Sequence, residues 1–129
     1  MAIIVYNRTK EDHSAHPYNF PIYRGGSILG NPYTDKPVSK TMAVYQVKTR
    51  EEAIQRYGSY FDMQYGRNKE FTEVIDCIYE LYKRGETVYL ECYCHPLKCH
   101  GDIIVEKLQK RLLKEKIKEA KERRNHEMG

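Results

Sequence analysis

Long apolar runs are missing from this chain: segments such as Ile103 to Val105 fall far short of the ~18 residues that a bilayer-spanning helix needs. No membrane partner is expected. Nor does the N-terminus carry a basic stretch, an extended apolar segment or a cleavage site, since Met1 to Tyr6 passes straight into β-branched residues, so the chain is read as cytoplasmic. In a reducing compartment Cys77, Cys92, Cys94 and Cys99 are metal ligands, reactive thiols or core residues rather than a disulfide framework. The spacings of a Walker loop and of a dinucleotide fingerprint are absent too, as are the usual glycine motifs of methyl transfer.

A uniform excess of one charge is also lacking. The net +4 is confined to Glu106 through Gly129, where nine Lys or Arg meet five Glu; the preceding residues balance. A helical tail of mixed sign without interleaved aromatics reads first as a solvated face and second as an arm that contacts nucleic-acid phosphates. At 129 residues and 15.3 kDa there is room for one core. The expected division is a single α/β domain over residues 1–117 and a basic helical tail over 118–129.

Ala2 to Tyr6 is a continuous β-branched run, the pattern of a central strand covered on both faces. Phe20 to Tyr23 suggests a short second strand broken by Pro21, and Arg24 to Lys40 holds too many Gly and Pro for regular structure. Thr49-Arg50-Glu51-Glu52 forms a capping box for a helix with Ile54, Tyr57, Phe61 and Tyr65 on one face, ended by Gly66. A second helix from Asn68 buries Phe71, Val74, Ile75, Ile78, Leu81 and Tyr82, with Cys77 in its core, and closes at Gly85. Thr87 to Cys92 reads as a strand. From Asp102 a long final helix turns Ile104, Val105, Leu108, Leu112 and Ile117 inward. Strands feeding amphipathic helices give a small, Rossmann-like layered α/β domain with a long C-terminal helix, in which ligands gather beyond the carboxyl ends of the strands.

That position holds Cys92-Tyr93-Cys94-His95-Pro96-Leu97-Lys98-Cys99-His100-Gly101-Asp102, with three Cys and two His in nine residues. A loop closed by Pro96 brings Cys99 and His100 back toward Cys94. One reading is zinc held by Cys92, Cys94, Cys99 and either His95 or His100. In another, Cys99 or Cys94 is a thiolate or polar anchor at a helix N-terminus, His100 is acid or base, and Asp102 orients it or caps the helix. Gly101 would let the backbone approach a ligand. In the plainest reading the cysteines are small buried hydrophobes and His100 and Asp102 only cap. Cys99 and His100 are sequence neighbours and would have to bend together around one ion at a helix start, so the expectation is no stoichiometric zinc, with both facing the cleft. A second candidate is Tyr23 to Tyr33: Arg24 as an anion clamp, Gly25, Gly26 and Ser27 offering backbone N–H groups, and Asn31 reading a base edge or hydroxyl.

These segments, Tyr23-Arg24-Gly25-Gly26-Ser27-x-Leu29-Gly30-Asn31-Pro32-Tyr33, Arg50-Glu51-Glu52-Ala53 and Cys92-Tyr93-Cys94-x-Pro96-x-x-Cys99-His100-Gly101-Asp102, resemble a phage-enriched family catalogued as domain of unknown function 4326. The resemblance covers roughly Tyr6 to Leu112, with Tyr93 where such sequences often have Trp. Its phage association implies nucleotide metabolism, DNA-base modification or counter-defence in the cytoplasm of an infected cell. The functional expectation is an enzyme acting on a nucleotide, nucleobase or modified DNA base, with Cys99, His100 and Asp102 catalytic and Arg24, Gly25, Gly26, Ser27, Asn31 and Cys94 binding substrate. The alternative is a non-catalytic nucleotide-sequestering or nucleic-acid-binding protein. No cosubstrate or cofactor other than the zinc alternative is indicated.

Overall fold

The computed structural model describes residues 2–40, 43–94 and 97–128. The loop closure assigned to Pro96 and the ligand role considered for His95 lie outside the described residues. Strand β1 (Ala2–Asn7), β2 (Asn19–Pro21) and β5 (Thr87–Cys92) form a parallel sheet in the order β1-β5-β2, while β3 (Tyr33–Thr34) and β4 (Tyr45–Gln46) make a small parallel pair. The expectation that Ala2 to Tyr6 is central is corrected: β5 holds the middle, and β1 is an edge with Ile4 exposed. β5 wins that place because it pairs along its whole length with β1, from Ala2↔Thr87 to Asn7↔Cys92, and with β2 on its other side. Pro21 is tolerated because β2 is an edge strand and its nitrogen needs no ladder partner, and the Ile22 N–H carries the pairing onward to the Glu91 carbonyl at 2.9 Å.

Strand alternation separates two faces. Val5, Val88, Leu90 and Cys92 join the apolar cluster with the helices. On the opposite face the buried Tyr6 hydroxyl lies against Asn19 and the buried Glu91 carboxylate, and His13, from the loop between β1 and β2, stacks on Tyr89 at 4.1 Å between ring centroids.

The helices follow from local capping. Thr49 Oγ1 accepts the Glu52 N–H at 3.1 Å to start α1 (Arg50–Gln64), although the Glu52 carboxylate accepts the N–H of Lys48 rather than that of Thr49. Asn68 caps α2 (Lys69–Lys83). Gly85, with φ +92°, closes it: the Glu86 N–H reaches the Leu81 carbonyl and the Gly85 N–H that of Tyr82, the paired bonds of a left-handed C-cap. Cys77, expected in the core, is exposed, because the buried side is set by Phe71, Ile75, Ile78, Tyr79 and Leu81, and its helical phase places Cys77 away from them.

Helix α3 (His100–Met128) starts two residues before Asp102 and runs unbroken for 29 residues, about 43 Å. Its partners α1 and α2 have 15 residues each, about 22 Å. Ile104, Leu108 and Leu112 are therefore buried, but Ile117, expected inward, is 47% exposed: α3 has outrun the elements that would cover it. Among the described residues no helix is long and apolar enough to cross a membrane. The whole is a small α/β domain with a parallel sheet and a long C-terminal helix.

Candidate active site: a thiol cleft at the end of the central strand

β5 ends at Cys92, and the chain then turns through Cys94, whose carbonyl accepts the Leu97 N–H at 2.9 Å. It returns to Cys99, the residue before α3. There the Asp102 carboxylate accepts the Cys99 N–H at 2.9 Å, the Cys99 carbonyl accepts the Asp102 N–H at 3.0 Å, and Cys99 Sγ accepts the Gly101 N–H at 3.3 Å. Asp102 thus caps the helix, and among the described residues no hydrogen bond joins it to His100. Gly101 is needed for packing: a Cβ there would meet Ile22 Cδ1 at 2.7 Å and Val5 Cγ1 at 3.1 Å. Its backbone approaches the sheet.

The N-terminal ends of α1 and α3 converge on a cleft of about 310 Å³. Arg24, Asn31, Arg50, Cys92, Cys94, Cys99 and His100 line it together with Tyr23, Tyr33 and Tyr93. His100 is 8% exposed, packs edge-on against the Tyr57 ring at 4.8 Å, and approaches the Ile22 carbonyl at 2.6 Å through Nε2. A carbonyl only accepts, so Nε2 carries the proton and Nδ1 is left as the acceptor. Burial pushes the imidazole pKa down to about 4, and the ring is neutral at physiological pH. Tyr57 is itself fixed, its hydroxyl donating to the Leu29 carbonyl at 2.7 Å.

The thiols differ sharply from one another. Cys99 is buried, and its thiol is held protonated by hydrogen bonds to Cys92 and Cys94 and by burial. Cys94 is half-buried at the cleft wall. The Cys99 thiol donates to it and Arg50 hydrogen-bonds it, which, with the positive charges of Arg50 and Arg24, lowers its pKa from the 9.0 of an ordinary thiol to about 5 against the opposing effect of burial. The thiolate of this site is Cys94. Arg50 is anchored by donating from Nη2 to the Lys98 carbonyl at 2.9 Å, and its bond to Cys94 raises its own pKa.

Sequence reasoning gave Arg50 a place at a helix start and no role at the site. A cation in the first turn of a helix opposes the helix dipole, and that misplaced charge was the available signal. Arg24, half-buried, has no hydrogen-bond or ion-pair partner for its side chain among the described residues, so its guanidinium is open to a ligand. The rest of its segment is architectural. The Asn31 side chain donates to the Ala53 carbonyl at 3.1 Å and accepts the Tyr33 N–H at 3.0 Å. Ser27 Oγ donates to the Pro21 carbonyl at 2.6 Å, and the Gly26 N–H is taken by Tyr23. Gly25, with φ +80°, makes the turn; Gly25, Gly26 and Ser27 do not line the cleft. The structure therefore brings together Arg24, Asn31, Cys94, Cys99 and His100, with Asp102 one step behind. For zinc, no group of three or more His, Cys, Asp or Glu among the described residues is arranged to hold a metal ion, and His100 Nε2 is already committed to Ile22.

Fold and site define a small α/β protein with a thiolate cleft between two helix N-termini at the end of its central strand. The family model described as Domain of unknown function (DUF4326) matches residues 5–110, and the chain belongs to that family. No curated protein and no solved structure matches it.

Proposed function

We propose that this protein is an enzyme acting on a nucleotide, a nucleobase or a modified DNA base, with Cys94 as its nucleophile. The observation that carries the reading is the placement of Cys94 on the cleft wall beside Arg50 and within the field of Arg24, whose side chain has no partner among the described residues. Two guanidinium groups and two helix N-termini suit a phosphate. The faces of Tyr23, Tyr33 and Tyr93 suit a base, with Tyr23 and Tyr93 meeting edge to face at 5.0 Å. Cys94 adds to an electrophilic carbon of the bound ligand, the displaced electron pair taking a proton from water, while Arg50 stabilises the thiolate before attack and after its release and neutral His100 lines the cleft beside it. Cys99 supports the nucleophile by hydrogen bonding, and Asp102 by fixing the helix start. The phage setting implied by the family resemblance accords with chemistry on DNA bases.

The test is protection of Cys94 from iodoacetamide by a panel of nucleoside monophosphates, read by peptide mass spectrometry together with thermal shift. At least one nucleotide should slow alkylation and raise Tm, and Arg24→Ala should weaken that effect tenfold or more. A panel in which none protects Cys94 would overturn the reading. Nucleotide recovered unaltered in every case, with protection intact, would instead favour sequestration. A second reading concerns α3, whose side chains from Lys116 to Asn125 are all exposed and include five Lys or Arg against two Glu. It is an arm for nucleic-acid phosphates, and truncation after Ile117 should then reduce the slope of log affinity against log salt by about 1 for each phosphate that is no longer neutralised. An unchanged slope removes that reading.

A further inference from the structure

Cys94 and Cys99 are more than a nucleophile and its hydrogen-bond donor. They are both free, they lie five positions apart, both line the same cleft, and a hydrogen bond joins their side chains. Cys94 is half-buried, and Cys99 is buried at the start of α3. We propose that Cys94 and Cys99 form a dithiol–disulfide couple that reduces hydroperoxides, Cys94 attacking the peroxide and Cys99 resolving the product. The inference shares Cys94 with the proposed function but requires no nucleotide.

The arrangement meets each chemical requirement. A hydroperoxide needs a thiolate it can reach and a positive charge near the departing oxygen, and Arg50, tied to the Lys98 carbonyl, places its guanidinium beside Cys94. The Cys94 sulfur attacks the terminal peroxide oxygen, the O–O bond breaks, and the alkoxide or hydroxide leaves and takes a proton from water. Cys94 is then a sulfenic acid. That step removes the negative charge that had received the Cys99 hydrogen bond. The Cys99 sulfur attacks Cys94, the S–O bond breaks, and the hydroxide released combines with the Cys99 proton as water. One peroxide is reduced and one disulfide made; an added dithiol restores both thiols by exchange. Cys99 is hydrogen-bonded by Cys92 as well, so the competing resolver is identifiable.

The experiment treats the reduced full-length chain with one equivalent of hydrogen peroxide, then maps the products by peptide mass spectrometry before and after dithiothreitol. A Cys94–Cys99 disulfide reversed by dithiothreitol is the expected result. Cys99→Ser, which keeps an oxygen able to cap α3, should stop at a sulfenic acid on Cys94 that dimedone traps. Arg50→Gln should slow peroxide consumption tenfold or more, and Cys94→Ser should abolish it. Oxidation of Cys94 to the sulfinic acid without a disulfide, a Cys92–Cys99 disulfide with Cys94 still reduced, or undiminished peroxide consumption by Cys94→Ser would each overturn the proposal. Failure here with nucleotide protection of Cys94 intact would refute the redox couple alone, whereas a disulfide formed by a chain that no nucleotide protects would refute only the nucleotide reading.

Discussion

The ionisation of Cys94 is accessible to a direct kinetic measurement, and its magnitude determines which measurement is informative. A thiol of ordinary pKa is about 1% thiolate at pH 7, so lowering the pKa from 9.0 to about 5 raises the thiolate population roughly a hundredfold. Intrinsic nucleophilicity falls with basicity, however, with a Brønsted slope of about 0.4–0.5, which lowers the rate per thiolate by roughly 40- to 100-fold over the same interval. The two effects nearly cancel at pH 7, and half-burial slows alkylation further. A single rate therefore says little. The pH profile does not suffer this cancellation: between pH 6 and pH 8 alkylation of Cys94 by iodoacetamide should change by less than about twofold, against roughly 90-fold for an unperturbed thiol. Arg50→Gln should move the Cys94 inflection upward and restore a rise through neutral pH. A Cys94 rate climbing about tenfold per pH unit from 6 to 8 in the wild-type chain would refute the assignment of the thiolate.

Three further outcomes test the frame around the thiol. Gly101→Ala forces a Cβ to within 2.7 Å of Ile22 Cδ1 and should destabilise by about 1–3 kcal/mol in urea unfolding, the range for an overpacked core; an unchanged midpoint would show that the helix start is loosely seated. Tyr57→Phe removes the donor to the buried Leu29 carbonyl and should lower stability by about 1–3 kcal/mol, with a matching drop in Tm. His100 has a folded pKa of about 4, below its ordinary 6.5, so the unfolded chain takes up its proton first as pH falls. Stability is lost between pH 6.5 and 4, by about 3 kcal/mol at the lower end, and His100→Gln should flatten this part of the stability profile; a variant with the same acid loss as wild type would remove His100 as its source.

Local chemistry made much of this protein legible in its sequence. Thr49 and Asn68 as caps, Gly85 as a stop, the apolar phases of the helices and the β-branched strands are decided by neighbours within a few residues, and three Cys and two His at a strand-to-helix junction pointed to Cys92 to Asp102 as the expected site. Strand order was not legible: Ala2 to Tyr6 and Thr87 to Cys92 carry similar apolar patterns, and β5 became central only when both partners paired with it. The exposure of Ile117 likewise depends on where α1 and α2 stop relative to α3. Within the site, spacing brought Cys94, Cys99 and His100 together but did not assign their charges. Which thiol ionises depends on Arg50 arriving from α1, across 44 residues of chain, and on Cys99 being enclosed between two sulfurs. The Asn31 side chain and the Gly26 N–H, which looked available for a ligand, are occupied by Ala53, Tyr33 and Tyr23. Composition and spacing fix which groups are present; desolvation and long-range hydrogen bonding, which exist only in the folded chain, decide their protonation and which of them remain open to a ligand.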